Sequence, residues 1–174
     1  MKTFIVILIV LGIGIFAGKY FSQTIAKEYR TEDNSIFFTY PSKYFLDDSF
    51  TIDRSGHTVT LTESTIKQGQ TLNRDNVPSI AVRVYEKSDA STLDQWLTLR
   101  REDSWVASKG SFKRTTLSGF PALTYEWAGA FSGDAFAVEV GSRVYVFTVS
   151  YKAKTDMIRT DFYKILSSLE LKKI

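Results

Sequence analysis

The chain of 174 residues contains no cysteine. That absence removes disulfides, thiolate metal sites, cysteine nucleophiles and a lipid-modified cysteine anchor. A single histidine, His57, would leave a zinc site dependent on carboxylates. Proline occurs three times and glycine ten, and no low-complexity or repeated segment divides the chain. Residues 1–21 hold no acid, so Lys2 and Lys19 account for two of the net +3 and leave +1 for the rest. No basic cluster accompanies that charge, which gives no ground for a nucleic-acid partner.

What the sequence does have is one long apolar run, residues 3–18, TFIVILIVLGIGIFAG. At about 1.5 Å per residue it covers roughly 24 Å, a little short of a hydrocarbon core of about 30 Å. Tyr20 and Phe21 extend it, and Lys19 can snorkel to the headgroups. Phe21, Ile25 and Tyr29 continue at helical spacing, which predicts a helix running past the membrane surface. Cleavage as a signal peptide needs small residues at the last and third-last positions before the cut. A cut after Ala17 puts Ile15 third-last, and one after Ala26 puts Thr24 there but lies far beyond the apolar core, so an uncleaved anchor is the better reading. The short basic leader resembles a signal-anchor, placing the rest outside the cytoplasm at the cell membrane; the alternative is a secreted domain. Gly14 and Gly18 form a G-x-x-x-G pair through which two such helices can approach closely and self-associate.

This divides the chain into an anchor (1–21), a juxtamembrane linker (22–34) and one domain (35–174). Thirteen Phe, nine Tyr and three Trp are ample for a real core. Strands are expected at 35–41, 59–63, 79–86, 112–117, 120–127, 135–140 and 143–151. Gly141-Ser142 fits a two-residue hairpin turn with glycine at the position needing positive φ. The strand after it is apolar or small on both faces and should be central. Ser91 with Asp94 suggests a capping box opening a helix whose apolar stripe is Leu93, Trp96 and Leu97; residues 100–103 form its wet side. A second helix starts near Thr155-Asp156, with Ile158, Phe162, Ile165, Leu166 and Leu169 as its stripe. The fold class is α+β, an antiparallel sheet of about six or seven strands with helices against it.

The segments Phe38-Thr39-Tyr40-Pro41, Gly119-Phe120-Pro121-Ala122, Arg143-Val144-Tyr145-Val146-Phe147 and Phe162-Tyr163-Lys164-Ile165-Leu166, in that order, resemble the PsbP-like domain family. The resemblance implies an α/β/α sandwich and a mostly non-enzymatic membership. That membership includes a lumenal subunit supporting photosystem II, a binder of a nuclear-transport GTPase, and many anchored or secreted bacterial domains. No photosystem-binding or metal-binding residue of the lumenal member matches a position here, and the anchor departs from that soluble protein.

No catalytic, cofactor or metal set emerges. His57 sits near Asp53 and Ser55, but three residues in one turn rarely make a triad, and an exposed turn histidine is the plainer reading. Ser64-Thr65-Ile66-Lys67 matches S-x-x-K without its companion motifs. Two features are candidate contact surfaces: the long polar loop of residues 65–78, with Gln68 and Arg74, and Trp127 with Phe131 at a hairpin mouth. The two rings can equally fold back over the sheet, which is the stronger expectation. The expected function is a non-enzymatic, membrane-tethered binding or scaffold domain with a protein partner. The alternative is a small-ligand or lipid-binding cavity lined by Tyr125, Trp127 and Tyr145, and a hydrolase built on Ser64, Lys67 or His57 comes last.

Overall fold

The computed structural model describes residues 26–48, 57–63, 77–99 and 112–174. The apolar run with Gly14 and Gly18, the loop residues Gln68 and Arg74, the Ser64 and Lys67 pair, Asp53, Ser55 and residues 100–103 lie outside the described residues. Among the described residues, no helix is long and apolar enough to cross a membrane.

Among the described residues, twelve elements follow one another: β1 (Ala26–Arg30), β2 (Ile36–Pro41), β3 (Tyr44–Asp47), β4 (Thr58–Glu63), β5 (Ile80–Glu86), α1 (Leu93–Leu99), β6 (Lys113–Leu117), β7 (Phe120–Ala128), β8 (Ser132–Val140), β9 (Arg143–Tyr151), α2 (Met157–Ser167) and β10 (Glu170–Leu171). They form two antiparallel sheets rather than one. The larger has the order β3-β4-β5-β9-β8-β7-β6, and the smaller has the order β1-β2-β10. The strand expected at 35–41 belongs to the smaller sheet.

As its apolar run on both faces predicts, β9 is central, between β5 and β8, and all its residues after Arg143 are buried. Its alternation divides the interior. Tyr145, Phe147, Val149 and Tyr151 face a cluster shared with α2 and the small sheet, while Val144 and Val146 face a second cluster shared with α1. Helix α2 lays Ile158, Phe162, Ile165 and Leu166 on the first face, as its stripe predicts; Leu169 is buried just past the helix end. Trp96 and Leu97 of α1 cover the other face, each contributing about 2 kcal/mol by burial. The layers are thus α1, the seven-stranded sheet, then α2 beside the small sheet. Gly141 has φ +66° in the β8–β9 turn, the positive value expected from the sequence.

Two local expectations need correction. Ala26–Arg30 is not part of a linker, and Tyr29 does not continue a helix. The segment pairs with β2 from Ala26 opposite Pro41 to Arg30 opposite Phe37, and it buries Tyr29 against Phe38. Every other residue of AKEYR is exposed, so a single buried ring left almost no strand pattern to read. The capping box of α1 also lies one residue on. The Thr92 N–H donates to Gln95 Oε1 at 3.0 Å, and Trp96 N–H donates to the Thr92 carbonyl at 2.9 Å. Ser91 instead bonds to Asp89.

Candidate functional site

A concavity of about 580 Å³ lies where the β1–β2 turn meets the large sheet. The turn is self-locked. Asp33 Oδ1 accepts from the Ser35 N–H at 3.0 Å and the Ser35 hydroxyl at 2.6 Å, and Thr31 Oγ1 accepts from the Ile36 N–H at 3.1 Å. That leaves Asp33 Oδ2 for Arg143, whose Nη1 lies 2.6 Å away. The guanidinium Nε donates to Glu86 at 2.8 Å, and Glu86 and Arg143 are direct cross-strand partners. Arg143 therefore bolts the small sheet to β5 and β9. Partial burial works against the Asp33 charge, but the bonds from Ser35 and Arg143 more than offset it and hold the carboxyl well below the usual range.

The second wall is a polar trio from three distant segments. Tyr29 Oη donates to Asp48 Oδ2 at 3.0 Å, His57 Nε2 lies 2.6 Å from Asp48 Oδ1, and Tyr29 Oη lies 3.2 Å from His57 Nε2. His57 is therefore not the exposed turn histidine expected: its side chain is 26 % accessible, and its carbonyl accepts from the Val84 N–H. Burial first, and the Asp48 charge second, raise the Tyr29 phenol far above its ordinary range, so it stays protonated and is no nucleophile. Glu32, Asp33, Asp48 and Glu86 against Arg143 and His57 give the groove an acidic excess.

A smaller groove, about 300 Å³, lies at the opposite end of β1 between β2 and α2. Asp161, which lines it, accepts from Tyr44 Oη at 3.1 Å, from Lys43 at 2.8 Å and from Lys164 at 3.2 Å. A further buried carboxylate, Asp134, is fully engaged by Tyr151 (2.8 Å), Arg159 (2.6 Å) and Tyr163 (2.9 Å). Burial, reinforced by that carboxylate, pushes both phenols up to about 12.

Of the candidate contact residues, Trp127 is buried and Phe131 packs against the same cluster, so the rings have folded back over the sheet. A Trp127 contact surface is thereby corrected. The cavity expected between Tyr125, Trp127 and Tyr145 is corrected too. Tyr145 faces the α2 side and the other two face the α1 side, so the three cannot line one space. Among the described residues, no group of three or more His, Cys, Asp or Glu could hold a metal ion. The groove has no signature in the sequence because its residues come from β1, the β1–β2 turn, β2, β5, β9 and the flanks of β3 and β4. Only Asp33-Asn34-Ser35 carried a local signal, that of a turn.

No protein-family model matches the chain, and no curated protein matches it in sequence. Solved structures do resemble it. Cyanobacterial PsbP (CyanoP) from Synechocystis sp. PCC 6803 superposes with a TM-score of 0.58 at 15% identity, over 86% of this chain and 94% of that one. A protein from Bacteroides thetaiotaomicron gives 0.53 at 6% identity, over 84% of this chain and 48% of that one. A mutant of the protein Mog1 gives 0.50 at 11% identity, over 86% and 97%. The fold is therefore PsbP-like, and the likeness is one of fold.

Proposed function

We propose that this chain is a non-enzymatic, membrane-tethered binding domain outside the cytoplasm, which takes a protein segment bearing basic side chains in the groove at the β1–β2 turn. The observation that carries the reading is the groove itself: concave, acidic in balance, and walled by side chains already fixed by their neighbours. Preorganised walls lower the cost of ordering on binding. The resemblance to a family of mostly non-enzymatic domains agrees with it. The apolar run of residues 3–18 supports the tether.

A photo-crosslinking residue placed at the exposed Glu32 of the full chain should capture a discrete protein in native membranes. Glu86→Lys should cut that capture by about five-fold or more, the equivalent of losing roughly 1 kcal/mol of charge complementarity. Equal capture from Lys113, on the remote edge strand β6, or no response to Glu86→Lys, would sink the reading.

A further inference from the structure

We infer that the end of the domain carrying Ala26 rests on the bilayer, and that the groove there receives the headgroup of an anionic phospholipid. The inference builds on the membrane-tethered reading above. The apolar run and its aromatic extension end at Phe21, and the first strand begins at Ala26. Five Cα steps of at most about 3.6 Å hold Ala26 within roughly 18 Å of the end of that run. Whatever surrounds Ala26 is thus tethered within that distance of the membrane surface.

What surrounds it has the composition of an interfacial surface. Antiparallel pairing sets Pro41 opposite Ala26, and Ala26, Tyr40, Pro41 and Met157 supply the apolar part of the smaller groove. Met157, in the first turn of α2, is 69 % exposed. Seven residues on, Lys164 lies on the same side of the helix, and its side chain is 68 % exposed. Lys43 lines the same groove, and Lys27 extends the exposed charge along β1. An apolar tip flanked by ammonium groups can sink its thioether to the acyl boundary while the lysines stay at the phosphates.

The lysines are also arranged to share an anion. Asp161 holds the Lys43 and Lys164 ammonium groups at 2.8 and 3.2 Å, and Glu63 holds Lys43 at 3.2 Å. Each ammonium has three donors, so Lys164 keeps two and Lys43 one for a phosphodiester. From Ala26 to Arg30 the strand advances about 13 Å. The acidic groove at its far end is therefore lifted off the lipid and turned toward a partner.

Because the chain has no cysteine, single labels are clean. In the full chain reconstituted in phosphatidylcholine vesicles containing phosphatidylglycerol, an environment-sensitive label at Met157→Cys should be quenched by brominated lipid and shielded from iodide. The same label at Glu32→Cys should show the reverse. Adding Lys27→Gln or Lys164→Gln should each lower the docked-to-undocked ratio about five-fold, the usual worth of one basic residue near an anionic surface. A label at 157 as open to iodide as one at 32, in a chain that resists carbonate extraction, overturns the docking and spares the tether. Identical docking without phosphatidylglycerol overturns the headgroup assignment. Carbonate that strips the chain from the vesicles overturns both the tether and the docking.

Discussion

The Trp127 indole fills the space that any side chain at position 133 would need. The two residues are cross-strand partners in β7 and β8, and a Cβ built on Gly133 falls 2.0 Å from the ring. Glycine stands there because an aromatic ring covers its backbone, which is one of the few interior strand positions where its missing side chain is useful. Gly133→Ala must push the indole out of the cluster it shares with Tyr85, Trp96 and Tyr125. The expected cost is about 3 kcal/mol, at the upper end for overpacking, and a melting temperature lower by roughly 10 °C. Circular dichroism melts with tryptophan emission check this; a shift under about 2 °C would show that the ring relocates freely.

Among elements, those with full periodicity were legible and those held by single contacts were not. Strand β9 declared its central place through an unbroken apolar run, and α2 declared its buried face through Ile158, Phe162, Ile165 and Leu166 at helical spacing. The PsbP-like resemblance read from the sequence matches the observed fold. Strand β1 was illegible because one buried tyrosine cannot make an alternation, and its partner β2 is what defines it. The candidate groove was illegible for a related reason: it depends on register, and register follows only once the strands are paired. Arg143 is the clearest case, since its contacts to Asp33 and Glu86 span 110 and 57 residues of sequence. Arg143→Gln should leave the large sheet intact and loosen the small one. Amide exchange at Thr31, whose N–H donates to the Ile36 carbonyl at 3.1 Å, should quicken about five-fold, while β8 amides keep their protection. Uniform acceleration across both sheets would mean that Arg143 supports the whole domain rather than one seam.

At the scale of the whole molecule, two carboxyls shifted below their ordinary range sit at seams between layers. Asp33 joins the small sheet to β9, and Asp161 joins α2 to Lys43 and to Tyr44 at the start of β3. Burial opposes the charge on Asp161, but Lys43, Lys164 and Tyr44 more than offset it, so its folded pKa lies below the unfolded value. The folded chain therefore binds fewer protons than the unfolded chain in this range. The stabilisation is complete above the unfolded pKa of about 4 and is lost as pH falls through the folded value. For the buried Asp161 the slope approaches about 1.4 kcal/mol per pH unit; Asp33, more exposed, adds less because solvent screens it. Urea unfolding of the wild-type chain should show stability falling as pH drops below about 4. Asp161→Asn should be less stable at neutral pH by about 3 kcal/mol, since it leaves Lys43 short of a counter-charge, and its acid slope should be shallower. An Asp161→Asn profile as steep as the wild type would place the acid sensitivity elsewhere. The layers would then part in acid for a reason other than the protonation of this seam.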